Sequence, residues 1–137
     1  MTIRIYIDTN VFLNFIQKRD NNISENILLF LEANNIDTFV NDLSIVNIHY
    51  ITRKSISRAD IKKEIENILD TYNLVSINKE IILKSLNSNF KDFEDAIQYF
   101  CAKKVGADLI ITSNIKDFQQ SDIKVITPID FFNNYIR

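Results

Sequence analysis

The sequence predicts an α/β fold built on a central parallel sheet, and three observations lead there. Short apolar runs alternate with amphipathic helical stretches along the chain, which is how helices crossing over a parallel sheet are encoded. The runs are rich in β-branched and aromatic residues, and two or three are apolar enough to be buried on both faces. Polar residues gather where the runs end, at the edge where open parallel sheets bind their ligands.

Strands are expected over residues 3–7, 38–40, 74–77, 109–112 and 124–126. The first leads into a helix carrying Val11, Phe12, Phe15 and Ile16, and the second into one reading Ser44-Ile45-Val46-Asn47-Ile48-His49-Tyr50-Ile51-Thr52-Arg53. Ser57-Arg58-Ala59-Asp60 resembles a capping box, and Ile61, Ile65, Ile68 and Leu69 after it form an apolar stripe. A second stripe is Phe93, Ile97, Phe100 and Cys101, in a helix that ends near Lys103-Lys104 and at Gly106, which can take the left-handed conformation that ends a helix. Thr127-Pro128-Ile129-Asp130 reads as cap, first-turn proline and acidic third position of a last helix with Phe131, Phe132 and Tyr135.

A chain of 137 residues suits one domain over 1–137 with a core of its own. Hydrophobic residues make up 46% and charged residues 25%, which argues against disorder and against a membrane protein. The N-terminus enters a strand at once, without the features of an export signal, and the lone Cys101 reads as a buried thiol in a reducing compartment. Cytoplasm is the expected location. The net charge of -2 means that binding a polyanion requires a local basic patch or bridging cations. With one Gly and one Pro, turns fall to Asn, Asp and Ser, and glycine-rich phosphate loops and the Gly-x-Gly-x-x-Gly dinucleotide motif are excluded.

The sheet edge collects acids. Asp8 follows the first strand, Asn41 and Asp42 the second, and Asn114 and Asp117 the strand over 109–112, while Asp92, Glu94 and Asp95 lie in the first turn of the helix before it. Each reads equally as a helix cap, a first-turn acid favoured by the helix dipole, or a loop acid. Together they require a cation or proton sharing, since two carboxylates about 4 Å apart repel by about 4 kcal/mol at an effective dielectric near 20. An oxygen-rich donor set with one His and one Cys in the whole chain points to Mg²⁺ or Mn²⁺ rather than zinc.

Three segments carry a family resemblance. Ile5-Tyr6-Ile7-Asp8-Thr9-Asn10-Val11, Asp92-Phe93-Glu94-Asp95-Ala96-Ile97-Gln98 and Ile110-Ile111-Thr112-Ser113-Asn114-Ile115-Lys116-Asp117-Phe118 resemble, in order and spacing, the PIN domains and more narrowly the VapC-like toxins. The resemblance implies a three-layer α/β/α sandwich with four to five parallel strands, and cleavage of single-stranded RNA by water at a Mg²⁺ or Mn²⁺ site. It assigns metal ligation to Asp8, Asp95 and one or both of Asn114 and Asp117, with Asn10, Asp92 and Thr112 just behind them. It further implies an antitoxin partner and a homodimer, for which exposed apolar residues on the early helices are suited.

One position departs from the pattern. Where the family usually carries Glu or Asp on the helix after the second strand, this chain has Asn47, which takes that catalytic place without a charge. His49 beside it reads as a structural residue. Lys54, Arg58, Lys62 and Lys63, with Arg53, form either a phosphate-binding face or a solvated helix face. Two other functions compete: a PIN-like module without activity that binds RNA or protein, and a haloacid-dehalogenase-like phosphatase, whose Asp-x-Asp motif Asp8-Thr9-Asn10 matches only in its first Asp.

Overall fold

The structure, a computed structural model, describes residues 3–136; Met1, Thr2 and Arg137 of the expected domain lie outside them. The five strands are β1 (Arg4–Ile7), β2 (Asp37–Asn41), β3 (Asn73–Val75), β4 (Leu109–Ile111) and β5 (Lys124–Ile126). The helices are α1 (Thr9–Ile16), α2 (Ile23–Ala33), α3 (Asp42–Thr52), α4 (Arg58–Thr71), α5 (Lys79–Leu86), α6 (Phe93–Lys104) and α7 (Pro128–Tyr135), with a 3₁₀ turn at Ile115–Phe118. All pairings are parallel, in the order β3-β2-β1-β4-β5. The chain therefore builds outward from β1 on one side and then on the other, which opens a crevice between the carboxyl ends of β1 and β4.

Alternation along the strands fills two core layers. Ile5 and Ile7 of β1 pack with Val11 and Phe12 of α1, Ile27 and Leu31 of α2, Ile48 of α3, Ile68 of α4 and Phe131 of α7. Tyr6, pointing the other way, joins Ile81 of α5, Ile97 and Ala102 of α6, and Phe118. This is the α/β/α sandwich implied by the resemblance, and β1, β2 and β4 are the strands buried on both faces.

The caps hold where they were expected. The Ser57 and Thr127 side chains accept from the amides of Asp60 and Asp130, at 3.1 and 3.2 Å. At the end of α6 the Ala107 amide donates to Ala102 O and that of Gly106 to Lys103 O, the doubly bonded stop that places Gly106 at φ +65°. Asn21, Asn22 and Asn35 take the left-handed conformation elsewhere, in keeping with a chain short of glycine.

Four local expectations are corrected. Leu69 is 46% exposed, because it stands about 100° around α4 from the buried Ile68 and the contact with the core is narrower than the stripe. Phe93 is 44% exposed, since as the first residue of α6 it precedes the turn that packs on the sheet. The third strand spans Asn73–Val75 and not 74–77, because Ile77 has left the ladder and donates its amide to the Asp42 carboxylate at 3.3 Å. Asn41 and Asp42 do not join the acids at the edge: Asn41 is buried and caps α3 by accepting from the Ser44 amide at 2.6 Å, while Asp42 braces Ile77.

Candidate functional site

Asp8 occupies the switch point. Its amide donates to Ile111 O at 3.0 Å, which continues the β1–β4 pairing past the last residue of β1 and holds the backbone of the acid against β4. Its carboxylate is held from three sides: the Thr9 amide donates to Oδ1 at 2.7 Å, while the Thr112 hydroxyl and the Asn10 amide nitrogen donate to Oδ2 at 2.7 and 3.2 Å. Asn10 is itself fixed by the Ser113 amide, which donates to its Oδ1 at 3.1 Å. Asp8 therefore caps α1 and also presents a fixed carboxylate at the crevice.

That carboxylate is 7% exposed. Burial raises its pKa, the hydrogen bonds from Thr112 and Thr9 oppose the rise, and the charges of Asp117 and Glu94 add to it. Asp95, half-buried on α6, is pushed up to about 7 by burial and then by the charges of Asp92, Asp8, Asp117 and Glu94. The structure thus brings Asp8, Asp95 and Asp117 into one electrostatic neighbourhood, with Asp92 as the cap of α6, accepting from the Asp95 amide at 3.0 Å. Among the described residues none of these acids forms an ion pair.

The donors are all oxygens, one is buried and fixed, and their charge is uncompensated, so the residues suit a hard divalent cation held with part of its water. They do not form a closed cage: among the described residues no three His, Cys, Asp or Glu side chains are gathered tightly enough to clasp an ion.

Two expected participants make no side-chain hydrogen bond to the acids among the described residues. Asn47 is half-buried between the buried Ser44 and Ile48 of α3, and its side chain enters no hydrogen bond among the described residues. Asn114 is exposed; its amide donates to the Thr112 hydroxyl at 3.1 Å and its carbonyl accepts from the Asp117 amide at 3.1 Å, so it shapes the turn that presents Asp117.

The sequence did not single out Gln98, one turn after Asp95 and only 3% exposed. Its Oε1 accepts from the Tyr6 hydroxyl and from Asn41 Nδ2, the latter at 3.2 Å. Its Nε2 donates to Thr9 Oγ1 at 3.1 Å and Ser44 Oγ at 3.0 Å, and those two hydroxyls lie 2.6 Å apart. One carboxamide thereby ties together β1, β2 and the starts of α1 and α3 from α6, linking the elements that carry Asp8, Asn47 and Asp95. Glu94 was also left without a role, although its charge bears on both Asp8 and Asp95. Cys101 fits the expected buried thiol: it is fully buried, and burial pushes its pKa up to about 11.

A parallel sheet ordered 3-2-1-4-5 with acids around its switch point defines the class of open α/β proteins whose ligand crevice lies beyond the carboxyl ends of the strands. The chain belongs to the PIN-domain family, whose model matches residues 4–116. It is 32% identical over 138 residues to Ribonuclease VapC1 of Aquifex aeolicus, an alignment covering 93% of this chain and 92% of that one. Among solved structures it resembles a toxin-antitoxin complex from Klebsiella pneumoniae, with TM-score 0.69, 23% identity and coverage of 90% and 97% of the two chains. It also resembles VapBC2 of Rickettsia felis bound to a promoter DNA fragment, with TM-score 0.69, 16% identity and coverage of 91% and 98%. These likenesses bear out the fold. Family membership also sets aside the phosphatase alternative, and Asn10, at the place of that motif's second Asp, donates to the Asp8 carboxylate.

Among the described residues no helix is long and apolar enough to cross a membrane.

Proposed function

We propose that the chain, one PIN domain over residues 1–137, is a cytoplasmic endoribonuclease that hydrolyses single-stranded RNA with Mg²⁺ or Mn²⁺ and serves as the toxin of a type II toxin-antitoxin pair. The observation that carries this reading is the buried, three-times-anchored Asp8 at the sheet switch point, with the unpaired acids Asp95 and Asp117 around it, in a chain 32% identical to a ribonuclease. Asp8, Asp95 and Asp117 would hold the ion, with Asn114 at the edge of the set; when bound, it would supply the positive charge that phosphodiester hydrolysis needs and help to activate water. Thr112 and Asn10 keep the Asp8 carboxylate turned toward the crevice, Asp92 fixes the first turn of α6 beneath Asp95, and Gln98 keeps α1, α3 and α6 in register.

An antitoxin partner suits the groove between α1, α2 and α4, a cavity of 310 Å³ floored by Phe12, Phe15 and Leu28 and rimmed by Glu25, Glu32, Glu64 and Asp70, which favours an apolar segment carrying basic residues. A homodimer suits the outer face of α3, where Val46 and Tyr50 are each 63% exposed.

Asn47 supports a second reading, a PIN-like module that binds RNA or protein without cutting. Incubating labelled single-stranded RNA with the protein in Mg²⁺, Mn²⁺ or EDTA separates the two. Cleavage that needs the metal and is lost in Asp8→Ala supports the nuclease. Equal background cleavage by wild type and Asp8→Ala ends that reading, and retained RNA binding then favours the inactive module.

A further inference from the structure

A second cleft opens beside the acids, about 250 Å³ in volume, between the loop before α6 and the 3₁₀ turn after β4. Asp92, Asp95 and Asp117 line it together with Lys91 and Lys116. Both lysines are exposed, and among the described residues neither is in an ion pair despite the carboxylates in the same cleft. The remaining polar lining consists of the carboxamides of Asn89, Gln119 and Gln120. Phe90 also lines the cleft and packs against Tyr99 at 5.1 Å and Phe118 at 6.2 Å between ring centroids.

We infer that this cleft binds one nucleotide of a single-stranded RNA next to the bond being cut, with Lys91 and Lys116 holding its phosphates and the three carboxamides meeting its base edge. The inference rests on the ribonuclease reading and deepens it. A chain of net charge -2 has to concentrate its cations where the polyanion runs, and two unpaired ammonium groups stand here on the lip of the acidic crevice. Lysines contribute phosphate contacts that position a strand without reading sequence, whereas carboxamides offer both a donor and an acceptor to the exposed edge of an unstacked base. The cleft is slightly smaller than the roughly 300 to 1,000 Å³ of pockets for drug-sized ligands, room for one extruded nucleotide and not for a duplex. The basic residues of α4 are placed differently: Ile68 of that helix packs in the opposite core layer from Ile97 of α6, and Lys62 is paired with Glu66 at 3.6 Å.

The test measures binding of a labelled, 2′-O-methylated single-stranded oligoribonucleotide in Mg²⁺ by fluorescence anisotropy across a salt series, with the probe checked to be intact after each titration. Lys91→Ala/Lys116→Ala is expected to weaken binding and to reduce the slope of log affinity against log salt by about 1.4, the value for two single-strand phosphates at about 0.7 each. Lys54→Ala/Lys63→Ala is expected to leave the slope unchanged. Gln119→Ala/Gln120→Ala is expected to change the preference among oligo-U, oligo-A and oligo-C without changing the slope. If wild type cleaves and binds RNA but the first pair keeps its slope, or if Lys54→Ala/Lys63→Ala loses as much, the cleft is not the phosphate site and the ribonuclease reading stands. If wild type neither binds nor cleaves, that reading falls and the inference falls with it.

Discussion

The Thr112 hydroxyl donates to Oδ2 of Asp8 across 2.7 Å, joining the residue after β4 to the residue after β1 at the point where the strand order reverses. Residues that orient a metal-binding carboxylate are typically worth about 10- to 100-fold in affinity or activity. Thr112→Val, similar in size and lacking the hydroxyl, is expected to lower Mn²⁺ affinity and RNA cleavage within that range while leaving the circular dichroism spectrum unchanged. An unaltered Mn²⁺ titration would show that this bond does not serve an ion.

Gln98 makes a different kind of prediction, because its carboxamide is spent inside the protein. Gln98→Leu leaves the Tyr6 hydroxyl and the Asn41 amide without their common acceptor and Thr9 and Ser44 without a donor. Each orphaned buried group costs about 1–3 kcal/mol. Urea unfolding is expected to shift to a markedly lower midpoint, with RNA cleavage falling in parallel. Phe93→Ser on the same helix is expected to change the midpoint little.

The acids also set a pH dependence for the metal-free protein. Asp8 and Asp95 both have folded-state pKa values above their unfolded ones, so their contribution to stability is complete below pH 4 and is lost as pH rises, for Asp95 through about 7. In EDTA, the melting temperature contribution of these groups is expected to fall between pH 5 and pH 8, and adding Mg²⁺ should raise the melting temperature more at pH 8 than at pH 5. Equal Mg²⁺ shifts at the two pH values, or the same pH response in Asp95→Asn, would show that these carboxylates do not govern it.

Asn47 gives the opposite experiment, an addition of charge. On the proposed reading, Asn47→Asp supplies the acid that the family usually has on this helix and is expected to tighten Mn²⁺ binding measured by calorimetry. No change in affinity would mean that α3 does not present this position to the ion.

How much of this was legible depended on whether the signal was local. Four of the five strands, the caps at Ser57, Asp92 and Thr127, and Asp8 at the end of the first strand are short-range features, and the structure puts them where periodicity and capping chemistry require. Gln98 was not legible, because a glutamine inside a helix reads as a surface residue until Tyr6, Asn41 and Ser44 are known to surround it. Leu69 and Phe93 failed for the complementary reason: a helical stripe gives a face but not the width of its neighbour. Lys91 and Lys116 stand far apart along the chain, and only the approach of the 3₁₀ turn to the start of α6 makes them one cleft.

The hydrogen bond from the Asp8 amide to Ile111 O has a consequence for how the protein opens. Loops that bind ligands are often the first parts of a protein to fluctuate, and their amides exchange with solvent while the core stays shut. Here the proposed metal ligand is stitched into the central ladder, between two strands buried on both faces. Its amide is therefore expected to exchange only on global unfolding, so that the acid and the core open as one cooperative unit, which native-state hydrogen exchange would measure.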